Sequence, residues 1–386
     1  MTIAVALDID APAGYTSCHA HGRVIYLNHL MKTYLSLLLV GLALSAWLPL
    51  SAAAAGTAPD PAVVKCEFIV ENPPFRSSHA STIVETRDGL LAAWFGGSRE
   101  RALDVSIWLS RNDGRGWTPP EEVANGVDEK NWRRYPCWNP VLFLRRSGDL
   151  LLFYKVGPSP ETWWGMVKVS ENNGKTWSAA KRLPGRIIGP VRNKPVELPD
   201  GTLLCGASTE NSGWRVHMER TRNPLKGWER GDFLNAALEY GAIQPTVLQY
   251  LDGRLQILCR TKQGVITECW STNRGVAWSR MLRTVLPNPN SAIDAVLLRD
   301  GPVLLVYNHS TKNRNNLNVA LSPDGKTWQA ALVLEDESGE FSYPAVIQTS
   351  DGMVHVTYTW KRQRIKHVVI DPAKLTPREM PEGRWP

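Results

Sequence analysis

No two cysteines in this chain are separated by just two residues, so the spacing that marks a zinc site or a thioredoxin-type redox motif is missing. Six cysteines are spread over 386 residues. Cys18 lies close to the N-terminus, and Cys66, Cys137, Cys205, Cys259 and Cys269 are odd in number and far apart. That distribution excludes the disulfide framework of small secreted domains, and most of these residues read as small hydrophobes within strands. Dense basic runs are missing too. The net charge is +7, but the Lys and Arg are scattered, which argues against nucleic acid and for an anionic partner of modest size. With 43% hydrophobic and 21% charged residues, extended disorder is excluded.

The one long apolar stretch, Leu35 to Leu50, is shorter than a bilayer-spanning helix usually needs. It follows Met31 and Lys32 and leads into Ser51, Ala52, Ala53, Ala54, Ala55 and Gly56, small residues that offer A-x-A cleavage sites. Residues 31–55 are therefore expected to be a cleaved secretory signal, leaving no stable membrane span and a secreted or periplasmic protein. Residues 1–30 carry Asp8, Asp10 and Arg23 and read as an extension ahead of a native start at Met31.

What the chain has in abundance is repetition. Ser110-x-Asn112-x-Gly114-x-x-Trp117 returns as Ser170-x-Asn172-x-Gly174-x-x-Trp177 and as Ser271-x-Asn273-x-Gly275-x-x-Trp278. A shortened copy is Ser322-x-Asp324-Gly325-x-x-Trp328, and a degenerate one is Thr221-x-Asn223 followed by Trp228. These tryptophans recur at intervals of 60, 51, 50 and 50 residues. In phase with them run six turn dipeptides: Asp88-Gly89, Gly148-Asp149, Asp200-Gly201, Asp252-Gly253, Asp300-Gly301 and Asp351-Gly352. Each lies between apolar strand-like runs, and Asp-Gly there signals a hairpin because glycine supplies the positive φ of the turn. Six hairpins at this period predict an all-β, six-bladed β-propeller over about residues 66–386. In the Ser-x-Asp/Asn-x-Gly-x-x-Trp element the polar side chain bonds the turn backbone and the tryptophan packs between blades.

The phased set resembles the Asp-boxes of the sialidase (neuraminidase) superfamily, also called BNR repeats. The resemblance implies a carbohydrate site at the top of the central axis, near the beginnings of the innermost strands. It also implies three arginines clamping a sugar carboxylate, a tyrosine nucleophile charged by a glutamate, and an acidic aspartate. Tyr343 matches the tyrosine, Arg260 the second arginine and Arg314 the third. The first arginine's position holds His79, and the glutamate's position, eight residues before Asp252, holds Gln244. Glu100 and Asp104 stand near the acid's place.

Counting back from each turn collects His79, Tyr135, Arg192, Lys194, Gln244, Arg260, Asp294, Asn308, Arg314 and Tyr343 around the axis. Tyr343, His79 and Asp294 are the expected catalytic groups. Arg260, Arg314, Gln244, Arg192, Lys194 and Tyr135 are the expected substrate contacts, because guanidinium and amide groups can bind a carboxylate. Trp138, Trp163 and Trp164 are expected to stack on sugar faces. Lys361, Arg362, Arg364 and Lys366 alternate on the last strand and read as a solvated face. No metal or cofactor is expected, and the partner is an acidic glycan. A sialidase-like exo-glycosidase is one reading. The missing glutamate keeps two others open: a lyase cleaving uronate polysaccharide by β-elimination, and a glycan-binding propeller without chemistry.

Overall fold

The structure, a computed structural model, describes residues 60–128 and 131–386. The expected signal at 31–55 and the extension before it lie outside the described residues. Among the described residues no helix is long and apolar enough to cross a membrane.

Six antiparallel sheets form the six blades of a β-propeller, four of them built from consecutive strands alone. Blade 1 runs from Ser77–Thr86 to Glu121–Ala124, blade 2 from Cys137–Leu144 to Lys181–Arg182, and blade 3 from Val196–Glu197 to Gly227–Phe233. Blade 4 runs from Ala242–Gln249 to Leu282–Pro287, and blade 5 from Asp294–Leu297 to Gln329–Glu335 with Arg378–Glu379 added at its edge. Blade 6 takes three strands from the C-terminal part, Phe341–Gln348, Val354–Trp360 and Arg364–Ile370, and its fourth from Val63–Phe68. This pairing of the two ends of the propeller closes the ring.

The predicted turns form as the sequence demands. Gly89, Gly148, Gly201, Gly253, Gly301 and Gly352 all have φ between 79° and 114°, a region closed to most other residues. The repeated boxes fold themselves locally. The Ser170 and Ser271 hydroxyls accept from the Gly174 and Gly275 amides at 2.8 and 2.9 Å, while Asn172 and Asn273 accept from the backbone at positions 176 and 277, each at 2.9 Å.

Hydrophobic clusters fill all six gaps between adjacent blades. Each box tryptophan packs backwards, into the gap shared with the preceding blade. Trp177 joins the cluster of blades 1 and 2, Trp228 that of blades 2 and 3, Trp278 that of blades 3 and 4, and Trp328 that of blades 4 and 5. Trp117 of blade 1 packs into the gap with blade 6, and Leu375 fills the corresponding place between blades 5 and 6. The motif is thus a blade-to-blade wedge, and the core is a ring of six sheet-on-sheet interfaces. Cys137, Cys205, Cys259 and Cys269 are buried strand residues and Cys66 is exposed, all as free thiols.

Candidate functional site at the propeller axis

The innermost strands of blades 1, 2, 4 and 6 share an irregularity near their beginnings. Pairing with the second strand slips after His79, Trp138, Ile243 and Ser342. At each slip one residue takes positive φ: Ala80 56°, Asn139 36°, Gln244 55° and Tyr343 55°. Asn139, Gln244 and Tyr343 each precede a proline, which has no N–H for the ladder and fits a bulge. A β-bulge re-aims its side chains, and here it helps bring residues of separate blades together. A non-glycine residue at such φ costs about 1–2 kcal/mol.

The centre of the site is the Tyr343 phenol. Its oxygen accepts from Arg260 Nη1 at 3.0 Å, and the same nitrogen donates to Gln244 Oε1 at 3.1 Å. Arg260 also donates through Nε and Nη2 to Asn290 Oδ1, at 3.0 and 2.7 Å. Arg314 Nη2 reaches the Asn290 carbonyl at 2.7 Å, and its Nη1 donates to Glu340 at 3.0 Å. Glu340 is shared with Arg362, whose Nε donates to it at 3.0 Å, and Arg362 pairs at its other end with Glu100. Three guanidinium groups and two carboxylates therefore form one network from the phenol to the mouth. Burial pushes the Tyr343 phenol up, but Arg260 and Arg314, helped by Arg362 against Glu100, outweigh it and leave the phenol below its ordinary range.

His79 lies beside this phenol, with ring centroids 4.1 Å apart. Its Nδ1 is 2.9 Å from Thr359 Oγ1, and its Nε2 is buried without a hydrogen-bond partner. Burial, reinforced by the positive fields of Arg362, Arg314, Arg192 and Arg260, holds the imidazole well below its usual range, so it is neutral at pH 7.

The other expected residues make contacts of their own around this network. Arg192 is buried and donates to the Tyr343 and Pro344 carbonyls at 2.6 and 2.9 Å. Lys194 is bonded to Asp294 at 2.9 Å, and Asp294 also accepts from Thr246 at 2.8 Å and from the Val346 amide at 2.9 Å. Asn308 is buried and donates to the carbonyls of Asn316 and Phe341. Tyr135 packs edge-on against Trp164 at 5.2 Å. Asp104 is exposed and accepts from the Ser98 amide and hydroxyl, each at 2.9 Å.

Two expectations need correction. Trp138 is 2% exposed, donates to the Gly157 carbonyl and packs on Trp163, so its ring has no face for a sugar, whereas Trp163 and the more open Trp164 both line a cleft between blades 2 and 3. The charge run at 361–366 is not a simple solvated face. Arg362 turns inward to the site, Arg364 lies 3.6 Å from the Phe68 ring centroid, and Lys366 pairs with Glu335. Sequence phasing also passed over Asn290, Glu340 and Glu210. Arg362 could have been found: Phe341 pairs with Trp360, so the residues after Trp360 lie at the Tyr343 end of blade 6.

The chain is similar in fold to several solved structures. A protein of unknown function from Dyadobacter fermentans aligns with TM-score 0.68 at 16% identity, covering 81% of this chain and 99% of that one. The Hadza microbial sialidase Hz136 aligns with TM-score 0.68 at 15% identity, covering 78% of this chain and 66% of that one. The intramolecular trans-sialidase of Ruminococcus gnavus aligns with TM-score 0.65 at 12% identity, covering 82% and 99%. No curated protein matches the chain in direct sequence comparison. The profile of the BNR repeat-like domain matches residues 88–356.

Proposed function

This chain belongs to the BNR repeat-like domain family, and on that footing we propose that it is an exported carbohydrate-active enzyme, a glycosidase releasing an acidic sugar from a glycan. The observation that carries the reading is the Tyr343 hydroxyl held by Arg260 at 3.0 Å, with Arg314 and Arg362 lowering its proton affinity. Arg260 and Arg314 receive the sugar carboxylate, exchanging bonds now made to Asn290 and Glu340, and Gln244 orients the ring. The Tyr343 oxygen attacks the anomeric carbon, its proton passing to neutral His79 beside it, as the bond to the leaving oxygen breaks and that oxygen takes a proton from solvent. Glu100 acts through Arg362, which it and Glu340 hold beside the site. Water then displaces the tyrosine oxygen. In this scheme Asp294 and Lys194 support the site as a buried pair instead of reacting. The leader-like segment at 31–55 supports export to the periplasm or beyond.

A second reading, β-elimination on a uronate, draws on Gln244 standing beside Arg260 where a carboxylate base is needed for the first. Arg260, Arg314 and Gln244 then neutralise the uronate carboxylate. Tyr343 and neutral His79 divide the base and acid roles.

The test is a panel of sialosides and uronate polysaccharides, read for new reducing ends and for the ultraviolet absorbance of unsaturated uronate. New ends without absorbance support hydrolysis. Both together support elimination and overturn the first reading. Binding without either signal makes the protein a glycan-binding propeller.

A further inference from the structure

Between blades 2 and 3 a cleft of about 380 Å³ opens beside the axial site. Its lining is unusual in charge. Arg182, Arg186 and Arg230 face it, and among the described residues none of them has a carboxylate within ion-pair distance. Other arginines of blades 1 to 3 do have one: Arg111 pairs with Glu121, Arg145 with Glu197 and Arg222 with Asp200. Two of the cleft's arginines lie on aromatic faces instead. Arg182 lies 4.3 Å from the Trp164 ring centroid, and Arg230 lies 4.8 Å from that of Phe233. Arg230 Nε and Thr209 Oγ1 are buried and have no hydrogen-bond partner. A guanidinium flattened on an aromatic ring keeps its donors free at the edge, where an anionic oxygen can accept from them.

Glu210 and Trp214 link the cleft lining to the axial network. Glu210 lines the cleft, and its carboxyl is pushed up by burial, against the pull of Arg260 and Lys262. Trp214 closes the link, since Arg260 and Lys262 lie 5.5 and 4.6 Å from its ring centroid. From Tyr343 one therefore passes to Arg260, then Trp214 and Glu210, and into the cleft.

We propose that this cleft is a subsite for a second acidic residue of the same glycan, so that the substrate carries charged sugars in neighbouring positions. The inference rests on the axial site being the place of the first acidic sugar. The partly open Trp164 and the exposed Phe233 supply sugar-stacking area, and the unpaired arginines supply the complementary charge.

The test is calorimetric binding of sialic acid and galacturonic acid against their dimers and tetramers, with wild type, Arg230→Gln, Arg186→Gln and Arg260→Gln. In one of the two series the dimer is expected to bind about tenfold tighter than the monomer, as one added charge-assisted contact provides. Arg230→Gln and Arg186→Gln should shrink that dimer-to-monomer ratio, whereas Arg260→Gln should weaken monomer and dimer together. Unchanged melting temperatures show that the variants fold. Monomer binding with no gain on lengthening, or a ratio indifferent to Arg230 and Arg186, overturns the subsite and leaves the axial reading standing. Absence of binding by every acidic sugar overturns both.

Discussion

Arg192 and Tyr343 meet across the propeller: the buried guanidinium of blade 3 donates to the Tyr343 carbonyl at 2.6 Å and lies 5.3 Å from its ring centroid. A buried arginine here fixes the backbone of a residue held at φ 55° in a bulge. Burial brings the Arg192 guanidinium down to about 10, which still leaves it charged at neutral pH. Arg192→Met keeps most of the volume and removes both carbonyl bonds. It is expected to cost about 2 kcal/mol of stability, read from the urea midpoint, and to lower turnover by loosening Tyr343. Full activity in this variant would mean that the bulge is held by other contacts.

Tyr343→Phe removes the phenol oxygen and little else. Arg260 keeps Gln244 and Asn290 as partners, so stability should change by less than about 1 kcal/mol. Turnover of whichever acidic glycan proves active should fall at least about 100-fold, while the dissociation constant for that glycan stays within a few fold. A variant that binds and turns over normally would move the chemistry away from this residue.

The architecture was legible because its code is local. A hairpin glycine at positive φ and a serine bonding its own turn are decided within a few residues, so six turns and their boxes could be read before any long-range contact was known. The axial set was half legible for a related reason. His79, Gln244 and Tyr343 lie on strands whose phase can be counted from the turns, and the structure brings His79 to Tyr343 and Gln244 to Arg260. Asn290, Glu340, Arg362 and Glu210 come from the connections between strands, where no period applies. Trp138 shows the converse limit: its place in the ring was readable, but its burial depends on Trp163 and Gly157, which arrive from the other end of a hairpin.

Acid should weaken this protein through its buried histidines. Burial and nearby arginines depress His79, and burial brings His309 and His355 to about 4. Each binds a proton more readily in the unfolded chain, near pH 6.5, than in the folded one. The stability they leave intact is therefore present above pH 6.5 and is lost as pH falls from there towards the folded values, by up to about 1.4 kcal/mol per pH unit for the buried His79 and His355 and by less for the half-buried His309. Urea midpoints measured from pH 7.5 to 4.5 should fall on the acid side, and His79→Gln should flatten the slope. An identical slope in that variant would mean that His79 titrates normally.

The backward-packing tryptophans predict where the ring is weakest to substitution. Trp328 is 3% exposed and sits in the cluster between blades 4 and 5 with Tyr250, Leu258, Ile266 and Leu305. Trp328→Ala removes a large ring from a packed interface that cannot collapse without moving a whole blade, so it should cost about 3–5 kcal/mol. Ser271→Ala in the neighbouring box removes the acceptor for the Gly275 amide and the hydroxyl that donates to Asn273 Oδ1, and should cost about 1–2 kcal/mol. Neither residue touches the axial network, so at a temperature where both variants are folded the affinity for an acidic glycan should match wild type. Comparing melting curves with glycan titrations separates the two roles: a large stability loss with intact binding places the boxes in the scaffold alone, whereas a loss of affinity in folded Trp328→Ala would show that the seam between blades 4 and 5 transmits strain to Arg260 and Asn290.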